Sequence, residues 1–350
     1  MAEPTTVPVA ALERVVTAIL RARGARSEHA ECVADDLVLA DRSGVPSHGV
    51  ARVGEYVQAI DDGRIRLDAD VSVVARSPAT VALDGGGGFG QVVGREALAQ
   101  ALDLAAASGS GLVVARNSHH IGRIGAISEA GAAAGKLVLA FVAVGIPGPV
   151  APLGGSEGRL GTNPISYGVP AGAGEVVADF ATSSMPEGVV NRYRRLGEQL
   201  PEGVLVDADG RPTTDPAALY ADPAGAILPF GGPWAHRGYA LNLMVELFAG
   251  TLAGYGPQDP NRPSNCLFLL AVDPGALLPG TEFRSLAGAT AEFVTSSAPA
   301  PGTSVQVPGG PEAAARQRHR DSVPVDGVTL AGLNGLARDN GVEPLDHGSN

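Results

Sequence analysis

A short stretch of the chain, DRSGVPSHGVARVGEY at residues 41–56, concentrates side chains that could carry chemistry. Ser47 and His48 place a hydroxyl beside an imidazole, whose pKa near neutrality suits proton transfer in either direction. Arg52 offers a planar cation that can hold a carboxylate through two hydrogen bonds, and Tyr56 adds a phenol. With a cofactor supplied elsewhere, this segment predicts the substrate end of an active site. The alternative is an ordinary N-capping serine beside a surface histidine.

Four further clusters combine polar groups with small residues, which let a ligand approach the backbone. They are NSHHIGRIG at 117–125, LGTNPISYGVP around Thr162 and Asn163, ADFATSS around Asp179, and AHRGYAL around His236 and Arg237. The first cluster follows a strand pattern and opens a helix pattern, so its backbone N–H groups could hold an anion beside His119 or His120. Turn chemistry alone is the alternative for each cluster.

Helix and strand patterns alternate along the chain and must position these residues. Helices are predicted at 9–22, 27–41, 91–109, 124–136 and 238–254, the last of them buried because it is apolar nearly all round. Strands are predicted at 71–76, 80–84, 111–117, 137–145 and 266–274, and LVDADGRPTTDP at 205–216 is interpreted as a strand, a turn and a helix start. The Gly- and Pro-rich stretches 147–174 and 297–315 are interpreted as a site-lining segment and a loop. The alternation predicts an α/β domain whose sheet is covered by helices.

A glycine run precedes the third predicted helix. Gly85, Gly87 and Gly90 formally satisfy G-x-G-x-x-G, the spacing of a dinucleotide-binding fingerprint. Five glycines in six residues satisfy many patterns, however, and no acidic residue ends the next strand, where a ribose hydroxyl would need one. Arg116 stands there instead and could meet a 2′-phosphate. We favour a turn that permits close backbone packing.

Composition restricts the class of protein. A chain of 350 residues with 45% hydrophobic residues can bury a large core, and its net charge of −12 disfavours nucleic acids and acidic membranes as partners. The first residues lack a basic leader and an apolar run. Cys32 and Cys266 lack metal-ligand spacing, so we expect no metal site and a reducing, cytoplasmic setting. Lys136 is the only lysine, which argues against Schiff-base catalysis.

From about residue 10 to residue 340, the chain resembles the malate/L-lactate dehydrogenase type 2 family, which includes sulfolactate and ureidoglycolate dehydrogenases and piperideine-2-carboxylate reductase. The resemblance is carried, in order, by DRSGVPSHGVARVGEY, DGGGGFGQ, NSHHIG, LGTNPI, DFATS, VDADGRPTTDP, HRGYALNLMVELFAG and PGG. It implies an NAD(P)H-dependent oxidoreductase, usually a homodimer, with a non-Rossmann fold whose mixed sheet is covered by helices. The implied regions are a helical N-terminal segment packing with the C-terminal part (1–75), a cofactor-binding α/β region (76–230) and a C-terminal region completing the site (231–350).

The resemblance also implies roles for individual residues. His48 is expected to give the proton to the carbonyl or imine that is reduced, with Ser47 in a relay and His120 as a further catalytic residue. Arg52 is expected to hold the substrate carboxylate, Thr162 is expected to add a hydroxyl contact, and Tyr56 is expected to be a further substrate-binding residue. The residues expected to touch the dinucleotide are His120, Ile121, Gly122, Arg123, Asp179, Phe180, Ala181, His236, Arg237, Pro308 and Gly309. Abundant arginine favours NADPH slightly over NADH.

Two departures from the family pattern bear on the substrate. Val189 stands where the hydroxy-acid enzymes often have Lys and the imine reductase an acid, and Trp234 belongs to what looks like an insertion. These changes favour a substrate bulkier or less charged than malate. The expected function is hydride transfer between nicotinamide and a small 2-oxo or 2-hydroxy acid. The alternatives are a reductase of a cyclic 2-carboxy imine and a catalytically inactive binding homologue.

Overall fold

The computed structural model describes residues 4–145, 147–257 and 265–345. The strands in these ranges are β1 (Thr5–Pro8), β2 (Ser72–Arg76), β3 (Thr80–Gly88), β4 (Ser110–Ser118), β5 (Leu137–Val144), β6 (Ile165–Ala171), β7 (Gly174–Phe180), β8 (Leu205–Val206), β9 (Pro212–Thr213), β10 (Ala226–Ile227), β11 (Asn265–Val272) and β12 (Ser322–Val325). The α-helices are α1 (Val9–Ala22), α2 (Ser27–Arg42), α3 (Val53–Asp61), α4 (Gly90–Ser108), α5 (Gly125–Ala133), α6 (Glu187–Leu196), α7 (Ala235–Val245), α8 (Gly280–Thr295), α9 (Gly310–Arg318) and α10 (Gly327–Asp339).

A seven-stranded mixed sheet organises the molecule, in the order β2-β3-β4-β11-β5-β6-β7. Within the described part of this sheet, β3 and β4 are parallel and the other neighbouring pairs are antiparallel. Helices α4 and α5 cover one face through an apolar layer, and α7 with its continuation packs on the other around Phe141 and Phe268. The predicted α/β fold with a mixed, helix-covered sheet is therefore confirmed. A Rossmann sheet would be mostly parallel.

A second apolar cluster holds the N-terminal helices together with the end of the chain. Its buried residues come from α1, α2 and α3 and from β12 and α10, among them Leu12, Leu37, Tyr56 and Leu333. Strand β1 pairs with β12 in an antiparallel ribbon. The turn between α2 and α3, which carries Ser47 and His48, is thus held against a packed helical layer.

Three predictions about secondary structure were wrong. The stretch 147–174 contains strand β6, whose Gly168 approaches the carbonyl of Ser128 closely, and α9 starts within the predicted loop 297–315. The segment predicted as one buried helix, 238–254, lies in α7 and a turn of π-helix, Glu246–Thr251. One side of it is exposed, with Leu252 58% accessible. In the described part of the chain, no helix is long and apolar enough to span a membrane.

Candidate active site

A cavity of about 400 Å³ opens where the turn after α2 meets the sheet and α6. This volume lies within the range of small-molecule sites. We call its lining residues Gly44–His48 the histidine wall, and its lining residues Pro186, just before α6, and Val189 and Arg192, on α6, the helix wall. The remaining lining residues are Gly122, Arg123, Ile124, Glu129, Thr162, Pro164, Val177, Asp179, Phe180, Ala181, Gly309 and Glu312.

The histidine wall is pinned from below by Asp41. Residues Pro46–His48 and Val50–Arg52 form two short 3-10 turns, and the backbone N–H of Val50 donates to Asp41 Oδ2 at 2.8 Å. Gly49 packs against the same carboxyl, so a Cβ there would lie 2.0 Å from Asp41 Oδ1. Burial raises the pKa of Asp41 to about 7, against the lowering effect of the Val50 hydrogen bond. The Asp41 carboxyl, reaching from α2 to this glycine turn, therefore fixes the position of the turn.

Ser47, His48 and Arg52 form one connected group. The Ser47 hydroxyl lies 3.2 Å from His48 Nδ1. Arg52 donates from Nε to the Ser47 carbonyl at 2.8 Å and from Nη1 to Glu55 at 2.6 Å. Burial, with Arg52 and Arg123 nearby, lowers the pKa of His48 to about 4. The imidazole is therefore neutral near pH 7 and able to accept a proton.

His120 stands beside His48 and is held from behind. The two rings stack with their centroids 5.7 Å apart, and the Tyr56 phenol lies 2.7 Å from His120 Nδ1. Gln91 Nε2 donates to the phenol oxygen at 2.7 Å, which leaves the phenol hydrogen to point at His120. Burial lowers the pKa of His120 well below its ordinary value. Tyr56 is only 1% exposed, so it orients a histidine and does not line the cavity as a substrate ligand would.

The wall next to the sheet combines glycines, which expose their backbone, with the buried carboxyl of Asp179. Gly122 (φ +88°) and Gly309 (φ +85°) adopt left-handed conformations, and a Cβ on Gly309 would lie 2.8 Å from the carbonyl of Val177. Asp179 Oδ2 accepts the N–H of Gly125 at 2.8 Å, while burial raises the pKa of Asp179 to about 6. This wall therefore offers a flat surface edged by polar groups.

Arg123 points its charge away from solvent. Its Nη2 lies 2.5 Å from Glu129 Oε1, and the same oxygen accepts from Arg316 at 2.7 Å. One carboxylate thus serves two guanidinium groups. Arg123 Nε is buried without a hydrogen-bond partner among the described residues.

Thr162 lies on a loop that polar side chains fix from beneath. The next residue, Asn163, has φ +40°, accepts the Val144 N–H at 3.0 Å and donates to Asn242 Oδ1 at 3.0 Å. Its amide also donates to Glu246 at 3.2 Å, in the π-helical turn. These buried bonds tie the loop to α7.

The structure brings nine of the predicted residues to the cavity surface: Ser47, His48, Gly122, Arg123, Thr162, Asp179, Phe180, Ala181 and Gly309. Arg52 adjoins the cavity beneath Ser47, while His120, Ile121 and Tyr56 lie behind it. Pro308 sits beside Gly309 and accepts the Val177 N–H at 3.1 Å.

His236 and Arg237 are not part of this surface. Both are exposed on α7, where they contact Trp234, itself 60% exposed. In the single chain, Trp234 therefore does not shape the pocket as its position in the sequence suggested. Val189 does line the cavity.

The glycine run packs against the backbone of His119 and His120 and does not form a phosphate loop. Gly85 to Gly88 belong to β3, and a Cβ on Gly90 at the start of α4 would lie 2.3 Å from the carbonyl of His119. Arg116 pairs with Asp84 at 3.0 Å. The preference for close backbone packing over a dinucleotide fingerprint agrees with these contacts.

Sequence reasoning missed Asp41, Gln91, Glu129 and Arg192. Asp41 stood in the segment singled out above, nine residues before its partner Val50, and a carboxylate before a glycine turn was the available signal. Gln91, Glu129 and Arg192 reach the site only through tertiary packing. No local pattern identifies them.

The chain is similar to several known proteins. Residues 7–334 match the model of a family described as malate/L-lactate dehydrogenase. The chain is 37% identical to an L-lactate dehydrogenase of Cupriavidus necator, over 91% of this chain and 93% of that protein. It is 35% identical to an L-sulfolactate dehydrogenase of Methanothermobacter thermautotrophicus, over 93% and 94%. A crystal structure of delta1-piperideine-2-carboxylate reductase from Pseudomonas syringae pvar. tomato superposes with a TM-score of 0.83 at 30% identity, over 95% and 99% of the two chains.

Proposed function

Because the chain belongs to the malate/L-lactate dehydrogenase family, we propose that it is an NAD(P)-dependent dehydrogenase that transfers a hydride between nicotinamide and a small 2-hydroxy or 2-oxo carboxylic acid. One observation carries this proposal. A neutral, serine-bonded His48 and a guanidinium, Arg52, occur on the same pinned turn at a cavity of ligand size.

The wall next to the sheet fits a flat ring that bears a carboxamide. Gly122 and Gly309 present no side chain, Ala181 is small, and Asp179 offers a polar oxygen. In this proposal Gly122, Arg123, Asp179, Phe180, Ala181 and Gly309 hold the dinucleotide, and bound nicotinamide supplies the carbon that takes or gives the hydride. His236, Arg237 and Pro308 stay predictions for the cofactor.

The chain's own residues supply orientation and proton transfer. Arg52 holds the substrate carboxylate, and neutral His48 accepts the hydroxyl proton as the hydride leaves the same carbon. For Nε2 to accept it, Nδ1 carries the ring hydrogen and donates it to Ser47 Oγ. In the reverse direction, protonated His48 returns the proton to the carbonyl oxygen. His120, fixed by Tyr56, keeps the His48 ring in place by stacking.

Steady-state oxidation of malate and lactate with NAD⁺ and with NADP⁺, followed by absorbance of the reduced cofactor, tests the function. We expect turnover of at least one of these acids and a modest preference for NADP⁺. If no 2-hydroxy acid is oxidised with either cofactor, the proposal is wrong. Binding of reduced cofactor without turnover on a wide panel would instead support the inactive homologue.

A second candidate is reduction of a cyclic 2-carboxy imine. The apolar Val189 in the cavity wall and the structural likeness to the piperideine-2-carboxylate reductase favour it. Relative kcat/KM on a cyclic imine and on oxaloacetate separates the two functions. A cyclic imine that is reduced at least tenfold better than any 2-oxo acid would replace the first candidate.

We also propose that the chain is a homodimer. The exposed side of α7 and the π-helical turn presents Leu243, Leu247, Phe248 and Leu252, and such an apolar patch is typical of an interface. Light scattering is expected to give twice the chain mass, and Leu247→Glu is expected to give monomers. A monomeric wild type would contradict this.

We infer a cytoplasmic location, which the two free, buried cysteines favour.

A further inference from the structure

Arg192 is the arginine of the helix wall. It lines the cavity three residues after Val189, and residues at this spacing share one side of a helix. The other side of α6 anchors the helix, because Val190 is fully buried and Tyr193 packs against the same apolar cluster. The fold therefore presents Val189 and Arg192 together to the cavity.

No carboxylate of the described residues neutralises the charge of Arg192. Among the described residues it makes no ion pair and no side-chain hydrogen bond. Of the other two cations close to the cavity, Arg123 gives both of its terminal nitrogens to Glu129, whereas Arg52 bonds to Glu55 through Nη1 and to Ser47 through Nε and can still offer Nη2 to a ligand. A guanidinium on a cavity wall without a carboxylate is suited to an oxyanion of a ligand.

The position of α6 relates Arg192 to the substrate end of the cavity. A Cβ on Gly188 would lie 2.7 Å from Arg52 Nη2 and 3.8 Å from the Ser47 Cβ, so the first turn of the helix abuts the histidine wall. The acidic groups of the lining, Glu129, Asp179 and Glu312, come from α5, β7 and α9, not from α6 or the histidine wall. Arg192 therefore adds a second cation to the side of the cavity on which Arg52 lies.

We propose that Arg192 binds a second anionic group of the substrate, so that this chain prefers dianionic 2-hydroxy acids over monoanionic ones. The inference rests on the proposed function and names its substrate class. Arg52 takes the carboxylate beside the reacting carbon, Val189 contacts the carbon chain, and Arg192 takes the far carboxylate or sulfonate. The cation that is missing at position 189 is supplied one helical turn later. This reverses the expectation of a less charged substrate.

The test compares Arg192→Met with Arg192→Lys and with the control Arg195→Met, an exposed arginine on the same helix. The kcat/KM for malate is expected to fall about 10- to 100-fold in Arg192→Met, as for loss of a hydrogen-bonded charge contact. For lactate it is expected to change less than twofold. Arg192→Lys should recover most of the malate activity, and Arg195→Met should match the wild type. Comparing malate with sulfolactate shows which far group is preferred.

Three results would overturn the inference while leaving the proposed function standing. Arg192→Met could lower kcat/KM equally for malate and lactate, it could leave both unchanged, or it could raise only the KM of the dinucleotide. The last result would assign Arg192 to the cofactor. A wild-type chain that oxidises no 2-hydroxy acid would instead overturn the proposed function, and this inference with it.

Discussion

The histidine wall and the helix wall meet at Arg52 but are built differently. The first is fixed by the buried Asp41–Val50 hydrogen bond and by Arg52, which bonds to both Ser47 and Glu55. The second stands on a helix with one buried residue, Val190, and its cation has no partner in the described chain. Groups assigned to proton transfer are thus held rigidly, whereas the group assigned to selectivity can change without disturbing the core. The following predictions test this contrast.

The largest expected effect is on proton transfer. His48→Asn should lower kcat by about 10²- to 10⁴-fold, the usual contribution of a general acid or base. The melting temperature should stay close to that of the wild type, because asparagine keeps a polar side chain at this half-buried position on the cavity surface. His29→Asn, in α2 and outside the cavity lining, serves as the control in the same assay. Activity within fivefold of the wild type would remove His48 from the mechanism.

Breaking the support beneath the histidine wall should cost stability as well as rate. Asp41→Ala leaves the Val50 N–H without its acceptor, which is worth about 1–3 kcal/mol in the free energy of unfolding. It also loosens the turn, and kcat should fall about tenfold. Denaturant unfolding and steady-state rates measure the two effects. A variant with wild-type stability and rate would show that Asp41 does not position the turn.

The substitution Asp41→Asn keeps an oxygen that can accept the Val50 N–H and removes the carboxyl group that titrates. In the folded chain the carboxyl stays protonated up to about pH 7, whereas in the unfolded chain it ionises near 3.8. Unfolding therefore releases a proton between these values, and the wild type loses stability as pH rises through this window. The stability advantage of Asp41→Asn should grow from pH 4 to pH 7. A constant difference across that range would contradict the raised pKa.

A larger residue at Gly188 would disturb the contact between the helix wall and the histidine wall. In Gly188→Ala the new methyl crowds Nη2 of Arg52, a side chain that its Nε and Nη1 hold in place through bonds to Ser47 and Glu55. A cost of about 1 kcal/mol would raise the KM of the hydroxy acid about fivefold with little change in kcat. Gly332→Ala is the matched control, because a Cβ there meets nothing within 4 Å. An unchanged KM would mean that Arg52 moves freely.

The smallest expected effect is the response of the oxidation rate to mild acid. His48 has a pKa lowered to about 4, so it remains a proton acceptor well below neutrality. The contribution of His48 to the kcat/KM for oxidation should change less than twofold between pH 8 and pH 5.5, and Asp41→Asn and Asp179→Asn, measured alongside, account for the two carboxyls that titrate in this range. A tenfold loss with a midpoint near 6.5 would show that the imidazole titrates normally in the free enzyme.

Regular patterns made much of the fold predictable. The helix predicted at 9–22 coincides with α1, and the strand predicted at 137–145 coincides with β5 to one residue, since both have clear apolar periodicity. Strand β6 was missed because Gly168 and Pro170 mask its pattern. Helix α6 was missed because it has a single buried residue. Exposed Leu247 and Phe248 cannot be told from core residues by composition alone.

The candidate site was predictable where its residues are neighbours in sequence. Ser47, His48 and Arg52 fall within one turn, so their proximity follows from spacing. Gln91 behind Tyr56 and Arg192 beside Val189 depend on how distant elements pack, which no local pattern encodes. The role of His120 came from the family resemblance and, like the other site assignments, stays a prediction.

Strand β11 has a consequence for how the protein is made. It lies between β4 and β5, although it follows them by more than 120 residues, and β1 pairs with β12 at the other end of the chain. While the ribosome is still synthesising the first 260 residues, β4 and β5 lack the neighbour that joins them. The sheet can close only after β11, which ends at Val272, has emerged, so until then the nascent chain must wait with apolar strand surface uncovered.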